Sequence, residues 1–154
     1  MQFEHAFELV GTPTAVIEVF ENVPLVAGFL PGASVGERRE DGSYPGQLQV
    51  TFGPKRLNFK GSLVNTVQRE ALAGTLTGQA SADVRGAKMA VSMRYQLSAT
   101  AQGTRVELVS EAELTGILAE FARTGGVAIT QALLDEFAKH FSVHMQAQQT
   151  PVPD

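Results

Sequence analysis

Between Ala33 and Thr115 apolar residues recur two or four positions apart in short runs, and this stretch restricts the fold more than any other feature. Leu48, Val50 and Phe52 form one set, Leu57, Phe59 and Leu63 the next, and Leu72 and Leu76 a third. Met89, Val91, Met93, Tyr95 and Leu97 form a fourth, Val106 and Leu108 a fifth. Turn signals separate them: "REDGS", "FGPK", "QREAL", "DVRG" and "AQGT". Runs of this kind predict about six antiparallel strands in a meander with one apolar face. That face must be covered by something.

The flanking segments supply the cover. Phe3, His5, Phe7 and Leu9 alternate with Gln2, Glu4, Ala6 and Glu8, which predicts a half-buried first strand. Thr12 before Pro13 reads as an N-cap with proline at the first helical position, and Val16, Val19, Phe20 and Val23 follow at helical spacing. Pro24 ends that helix, and "PLVAGFL" forms a second short one that stops at the Pro31-Gly32 turn. After the strands, Ile117, Phe121, Gly125, Ile129, Leu133, Phe137, Phe141 and Met145 recur every fourth residue. A four-residue stripe overshoots a helical turn and creeps around a straight helix, so a break is expected, and Gly125-Gly126 is the place for it. The spacing predicts a short helix ending near Thr124 and a long one from Val127 to His144, roughly 27 Å in length at ~1.5 Å per residue. Only this long helix can cover the sheet. The chain therefore reads as one α+β domain over residues 1–146, in the order β-α-α-β6-α, with a polar, proline-containing tail at 147–154 expected to be disordered.

Composition excludes several functions. The chain has no cysteine, which removes disulfides, thiolate metal sites and cysteine nucleophiles. Its net charge of −4, with no basic run longer than a pair, argues against nucleic-acid binding. No apolar run reaches the ~20 residues of a membrane span, and Glu4 and Glu8 stand where an export signal would be unbroken, so a cytoplasmic location is expected.

Several segments carry a family resemblance: "FLPGA" at 29–33, "YPGQLQVTFGP" at 44–54, "NFKGSL" at 58–63, Gly103-Thr104, "TGILAEFA" at 115–122 and "LLDEFAKHF" at 133–141. In their order and spacing the chain resembles the helix-grip superfamily of lipid-transfer (START-like) and birch-pollen-allergen proteins, or SRPBCC. Within it, the chain is similar to the CoxG family of carbon monoxide dehydrogenase proteins. The resemblance implies a curved antiparallel sheet of about seven strands wrapped on the long carboxy-terminal helix, around an internal apolar cavity. It also implies a non-enzymatic carrier that holds a quinone or lipid, with no covalent cofactor. The implied partners are a molybdenum-containing carbon monoxide dehydrogenase-like hydroxylase and the inner face of the cell membrane, touched peripherally. Phe29 stands where relatives carry a smaller residue before LPG, which implies a narrower cavity mouth, and without a longer carboxy-terminal extension no direct anchoring is expected. Cavity or mouth positions on this reading are Phe29, Leu30, Pro31, Phe52, Phe59, Met89, Met93, Tyr95, Phe121, Ile129, Leu133 and Phe137. The alternatives are a small cyclase or aromatase of the same superfamily and a pure protein-interaction module.

Few residues suggest other chemistry. Glu136, His140 and His144 stack on one helical face at a spacing that can hold a metal, but no further histidine or any cysteine stands near to complete the set, so no metal is expected. His5 among Phe3, Phe7 and Leu9 reads as a core histidine, with a general base as the alternative. Tyr95 shares a face with Met89, Val91 and Met93; its hydroxyl is either bonded to backbone or offered to a ligand. Glu107, Glu111 and Glu113 read as a solvated strand face, and Lys55, Arg56 and Lys60 as a small basic patch that is either ordinary surface or able to meet anionic lipid or an acidic partner. No glycine cluster has dinucleotide or Walker spacing.

Overall fold

The computed structural model describes residues 1–52, 54–83, 86–116, 118–123 and 125–149, the side chains of 52, 55, 121, 122 and 149 excepted. Strand β1 (Gln2–Val10) leads into helices α1 (Pro13–Glu21) and α2 (Val23–Ala27). Strands β2 (Ala33–Val35), β3 (Tyr44–Phe52), β4 (Lys55–Gln68), β5 (Ala73–Ala82), β6 (Lys88–Ala99) and β7 (Gly103–Thr115) follow. Helices α3 (Leu118–Arg123) and α4 (Gly126–Gln149) end the described chain. The strands form one seven-stranded antiparallel sheet in the order β1-β7-β6-β5-β4-β3-β2, so β1 closes the meander at its far edge.

Local chemistry sets the short helices. Thr12 Oγ1 accepts from the Ala15 amide (3.2 Å) to cap α1, and Asn22 Oδ1 accepts from the Leu25 amide (3.3 Å) to cap α2. Val16, Ile17, Val19 and Phe20 bury one face of α1. At the Pro31-Gly32 turn, Gly32 has a φ of 82°, its carbonyl oxygen accepts from the Gln49 amide (3.0 Å), and a Cβ there would overlap the Gln49 carbonyl oxygen. Only glycine lets the chain leave α2 and lie down on β3.

Tyr95 fixes α1 to the sheet. Its ring lies over Gly74, where any Cβ would collide with it, and stacks on Phe20 at 4.1 Å and 8°. The Tyr95 hydroxyl donates to Asn65 Oδ1 (2.8 Å), and Asn65 Nδ2 donates to the Phe20 carbonyl oxygen (2.9 Å) near the end of α1. Three buried polar groups from one helix and two strands are thereby satisfied together.

The break in the terminal helical stripe falls as expected, with α3 ending at Arg123 and α4 starting at Gly126. The end of α4 differs from expectation. The helix continues to Gln149, five residues beyond His144, so positions 147–149 are helical. Met145, 1 % exposed, anchors the last turns, while Gln146, Ala147 and Gln148 are helix-compatible residues that need no buried face. Residues 150–154, the rest of the expected tail, lie outside the described residues.

Burial pushes the Tyr95 phenol up to about 12, and the nearby Glu21 carboxylate adds to the rise. The unfolded chain ionises this group near ~10, so the contribution is present below pH ~10 and lost as pH climbs towards ~12. Urea unfolding across that window should show the wild type losing stability as pH rises, and Tyr95→Phe should remove this part of the loss. An unchanged slope in Tyr95→Phe would contradict the buried placement.

Candidate functional site

The concave face of the sheet is built in rows that cross the strands. Asn65, Leu76, Met93, Ser110 and Phe3 stand side by side in one row, and Tyr44, Leu63, Gly78, Val91 and Ala112 in the next. Gly46, Gly61, Ala80, Met89 and Leu114 form the row after that. The last two rows hold several very small side chains. The floor is consequently low in the middle of the sheet, although Leu63 leans over Gly78.

Packing is complete only at the two ends. One cluster gathers Phe20, Val26, Phe29, Tyr95, Leu97, Val106, Phe137 and Phe141 with their neighbours under α1 and the second half of α4. A smaller one gathers Val50, Phe59, Ala87 and Leu118 near α3. Between them lies an apolar cavity of about 300 Å³. Leu76, Val91, Met93, Ala112 and Leu133 face it and are only half-buried, because among the described residues no side chain fills the space above them. Its rim includes Ala27, Leu30 and Ala33 on one side and Ile129, Thr130 and Leu133 of α4 on the other.

The polarity of this space is very low. Among the described residues no Asp, Glu, Lys, Arg or His side chain lines it. Thr130 does line it, but its hydroxyl donates to the Gly126 carbonyl oxygen (2.7 Å) within α4.

The sequence-predicted positions divide into two groups. Leu30, Phe59, Met89, Met93, Ile129, Leu133 and Phe137 lie around the cavity. Phe29, Pro31 and Tyr95 are not part of its lining. Phe29 is 8 % exposed and packs into the filled end, 5.0 Å from the Phe141 ring and 5.4 Å from His144. Tyr95 directs its hydroxyl to Asn65 and not to the cavity. The side chains of Phe52 and Phe121 lie outside the described residues.

The histidines hold structure together. His140 donates from Nδ1 to the Phe29 carbonyl oxygen (2.9 Å), with Nε2 3.6 Å from Glu136 Oε2. α4 thus grips the loop that carries Leu30 to the rim. His144 is turned against Phe29, and His5 Nε2 lies 3.7 Å from Asp135 Oδ1, tying β1 to α4.

Sequence reasoning missed Ala80, Ser110 and Ala112, whose small side chains make the hollow. Small residues at inward positions of otherwise apolar strands are a signal for it, but only once strand register is known.

A curved antiparallel sheet closed by a long terminal helix around an apolar cavity defines the helix-grip class. Three solved structures share it. A conserved protein from Geobacillus kaustophilus aligns with a TM-score of 0.79 at 16 % identity, covering 96 % of this chain and 97 % of that one. A Thermus thermophilus protein aligns at 0.70 and 15 %, covering 97 % and 100 %. The Zhui aromatase/cyclase of a Streptomyces species aligns at 0.71 and 12 %, covering 97 % and 96 %. At such identities the likeness concerns the fold. Comparison with curated proteins gives no match. The carbon monoxide dehydrogenase CoxG family matches residues 6–146, and the chain belongs to that family.

The two halves of the "FL" pair should respond differently to truncation. Phe29→Ala removes a ring from the filled end and should cost about 3–5 kcal/mol in urea unfolding. Leu30→Ala, at the half-filled rim, should cost about 1 kcal/mol. Equal losses would contradict the division into a packed end and an open one.

Proposed function

We propose that this protein is a non-enzymatic carrier that holds one apolar small molecule, a quinone or lipid, in the cavity between its two packed ends. In that role it would serve a molybdenum-containing carbon monoxide dehydrogenase-like hydroxylase in recruitment or electron transfer at the membrane. The observation behind the reading is the cavity itself, about 300 Å³ of apolar space with no ionisable side chain among the described lining residues. Engineered apolar cavities of ~150 Å³ stay dry and bind benzene, so a space about twice that size suits a larger apolar guest. Family membership supports the assignment of partner.

Peripheral membrane contact fits the same reading. Among the described residues no helix is long and apolar enough to cross a membrane. Half-buried Leu30 and Pro31 and exposed Val127 at the start of α4 offer apolar groups for surface contact. An acid–base enzyme of the superfamily would need a titratable group facing its substrate, and His5 and Tyr95 are both engaged elsewhere.

Protein purified without detergent and extracted with organic solvent should yield a stoichiometric quinone or lipid by mass spectrometry. Ala112→Phe, which places a ring into the hollow, should abolish the yield while changing stability by less than about 2 kcal/mol. An empty extract, repeated after incubation with quinone-containing vesicles, would overturn the carrier reading in favour of a protein-interaction module.

A further inference from the structure

Ser110 stands out on the concave face. It occupies β7 between Leu108 and Ala112 on the same side of the strand, with Met93 and Phe3 as its cross-strand neighbours, and it lines the cavity. Its row borders the packed end, since Phe3 belongs to that cluster and Met93 packs against it. Among the described residues every fully buried side-chain nitrogen or oxygen has a hydrogen-bond partner. No hydrogen bond joins the Ser110 hydroxyl to another described residue, so its oxygen is not fully buried, and the half-buried residue lines the cavity.

Ser34, Gln47 and Gln79 also line the space but are exposed residues, and several other polar groups nearby are already engaged. Tyr95 donates to Asn65, Asn65 donates to the Phe20 carbonyl oxygen, and Thr130 donates within its own helix. Ser62 lies on the exposed side of β4, where it accepts from Arg39 Nη1 (2.8 Å). The Met1 ammonium at the cavity margin donates to the Ala112 carbonyl oxygen (2.9 Å). A hydroxyl left facing apolar space is unfavourable until something bonds to it, whereas alanine at this position would carry no such cost.

We infer that Ser110 orients the bound molecule, donating to a neutral oxygen on it, and that the ligand is an uncharged, ring-sized apolar compound bearing a carbonyl. This rests on the carrier reading above. A carboxylate or phosphate beside Ser110 would lose its water and find no cationic side chain among the described lining residues, only the Met1 ammonium already bonded to the Ala112 carbonyl oxygen, which disfavours it. The volume, at the lower end of the ~300–1,000 Å³ range of small-molecule sites, accommodates a fused ring system.

Three probes of one shape separate the possibilities: acetonaphthone, isopropylnaphthalene and naphthoate, titrated calorimetrically into the delipidated protein. The ketone should bind more tightly than the hydrocarbon, and naphthoate most weakly. Ser110→Ala should lower ketone affinity about three- to tenfold, the worth of one net hydrogen bond, and leave the hydrocarbon unchanged. Ser110→Thr, which restores a hydroxyl, should recover the preference, and all three proteins should unfold at similar urea concentrations. Equal loss for ketone and hydrocarbon, or naphthoate binding as tightly as the ketone, would overturn the role of Ser110 while leaving a working apolar cavity. Failure of all three probes to bind the wild type would overturn the carrier reading and this inference with it.

Discussion

The Tyr95 hydroxyl, buried beneath α1 and bonded to Asn65, is the constraint on which the rest of the structure depends. A phenol there without an acceptor would cost about 1–3 kcal/mol, and so would the carbonyl at the end of α1 without a donor. Asn65 answers both, its oxygen to the tyrosine and its nitrogen to Phe20. Gly74 is part of the same solution, because the ring needs the space directly above it. With α1 held against β4 and β6, α2 follows from the shared cap at Asn22, and Phe29 is delivered to Phe137 and Phe141. His140 then bonds the Phe29 carbonyl and secures the second half of α4.

This sequence of contacts concentrates bulk at one end of the sheet. Aromatic rings from β1, α1, the loop after α2, β6 and α4 meet there, while the middle rows of the same sheet carry Gly46, Gly61, Gly78, Ala80 and Ala112. Tight packing and open space are therefore assigned to different rows of one surface. The aromatic end supplies the apolar burial that a domain of 154 residues needs, and the middle is free to stay hollow.

Much of this was legible in the sequence, for identifiable reasons. Period-two alternation named the strands and their inward faces, because a half-buried strand leaves no other pattern. Gly125-Gly126 announced the break between α3 and α4, since a stripe of period four cannot continue along one straight helix. Phe29 and Tyr95 were legible as inward residues but not as members of the filled end. Alternation gives a face and says nothing about position along the strand. The cavity itself is a property of rows assembled from five strands, and no local stretch encodes that Ala112 stands beside Val91 and Gly78. The end of α4 was obscured for another reason: a solvent-exposed last turn has the same polar composition as a disordered tail.

Why the hollow does not collapse follows from its two ends. Leu118 of α3, with Val50 and Phe59, forms a second packed cluster that stands between sheet and helices on the far side. The glycines at 125 and 126, Gly125 with a φ of 125°, let α4 start from this cluster at a new angle, and Phe137 and Phe141 then bring it down on the first cluster. α4 is thus a beam supported at both ends. For Leu133 or Ile129 to drop onto Val91 and Ala112, one of the clusters would have to lose its packing, and cores at native density do not yield gradually. Closing the space by moving the sheet is no easier, because at Gly61 the backbones of β4 and β5 already approach so closely that a single Cβ would overlap Gln79. The space is held open by the same rigidity that makes the rest of the molecule a solid.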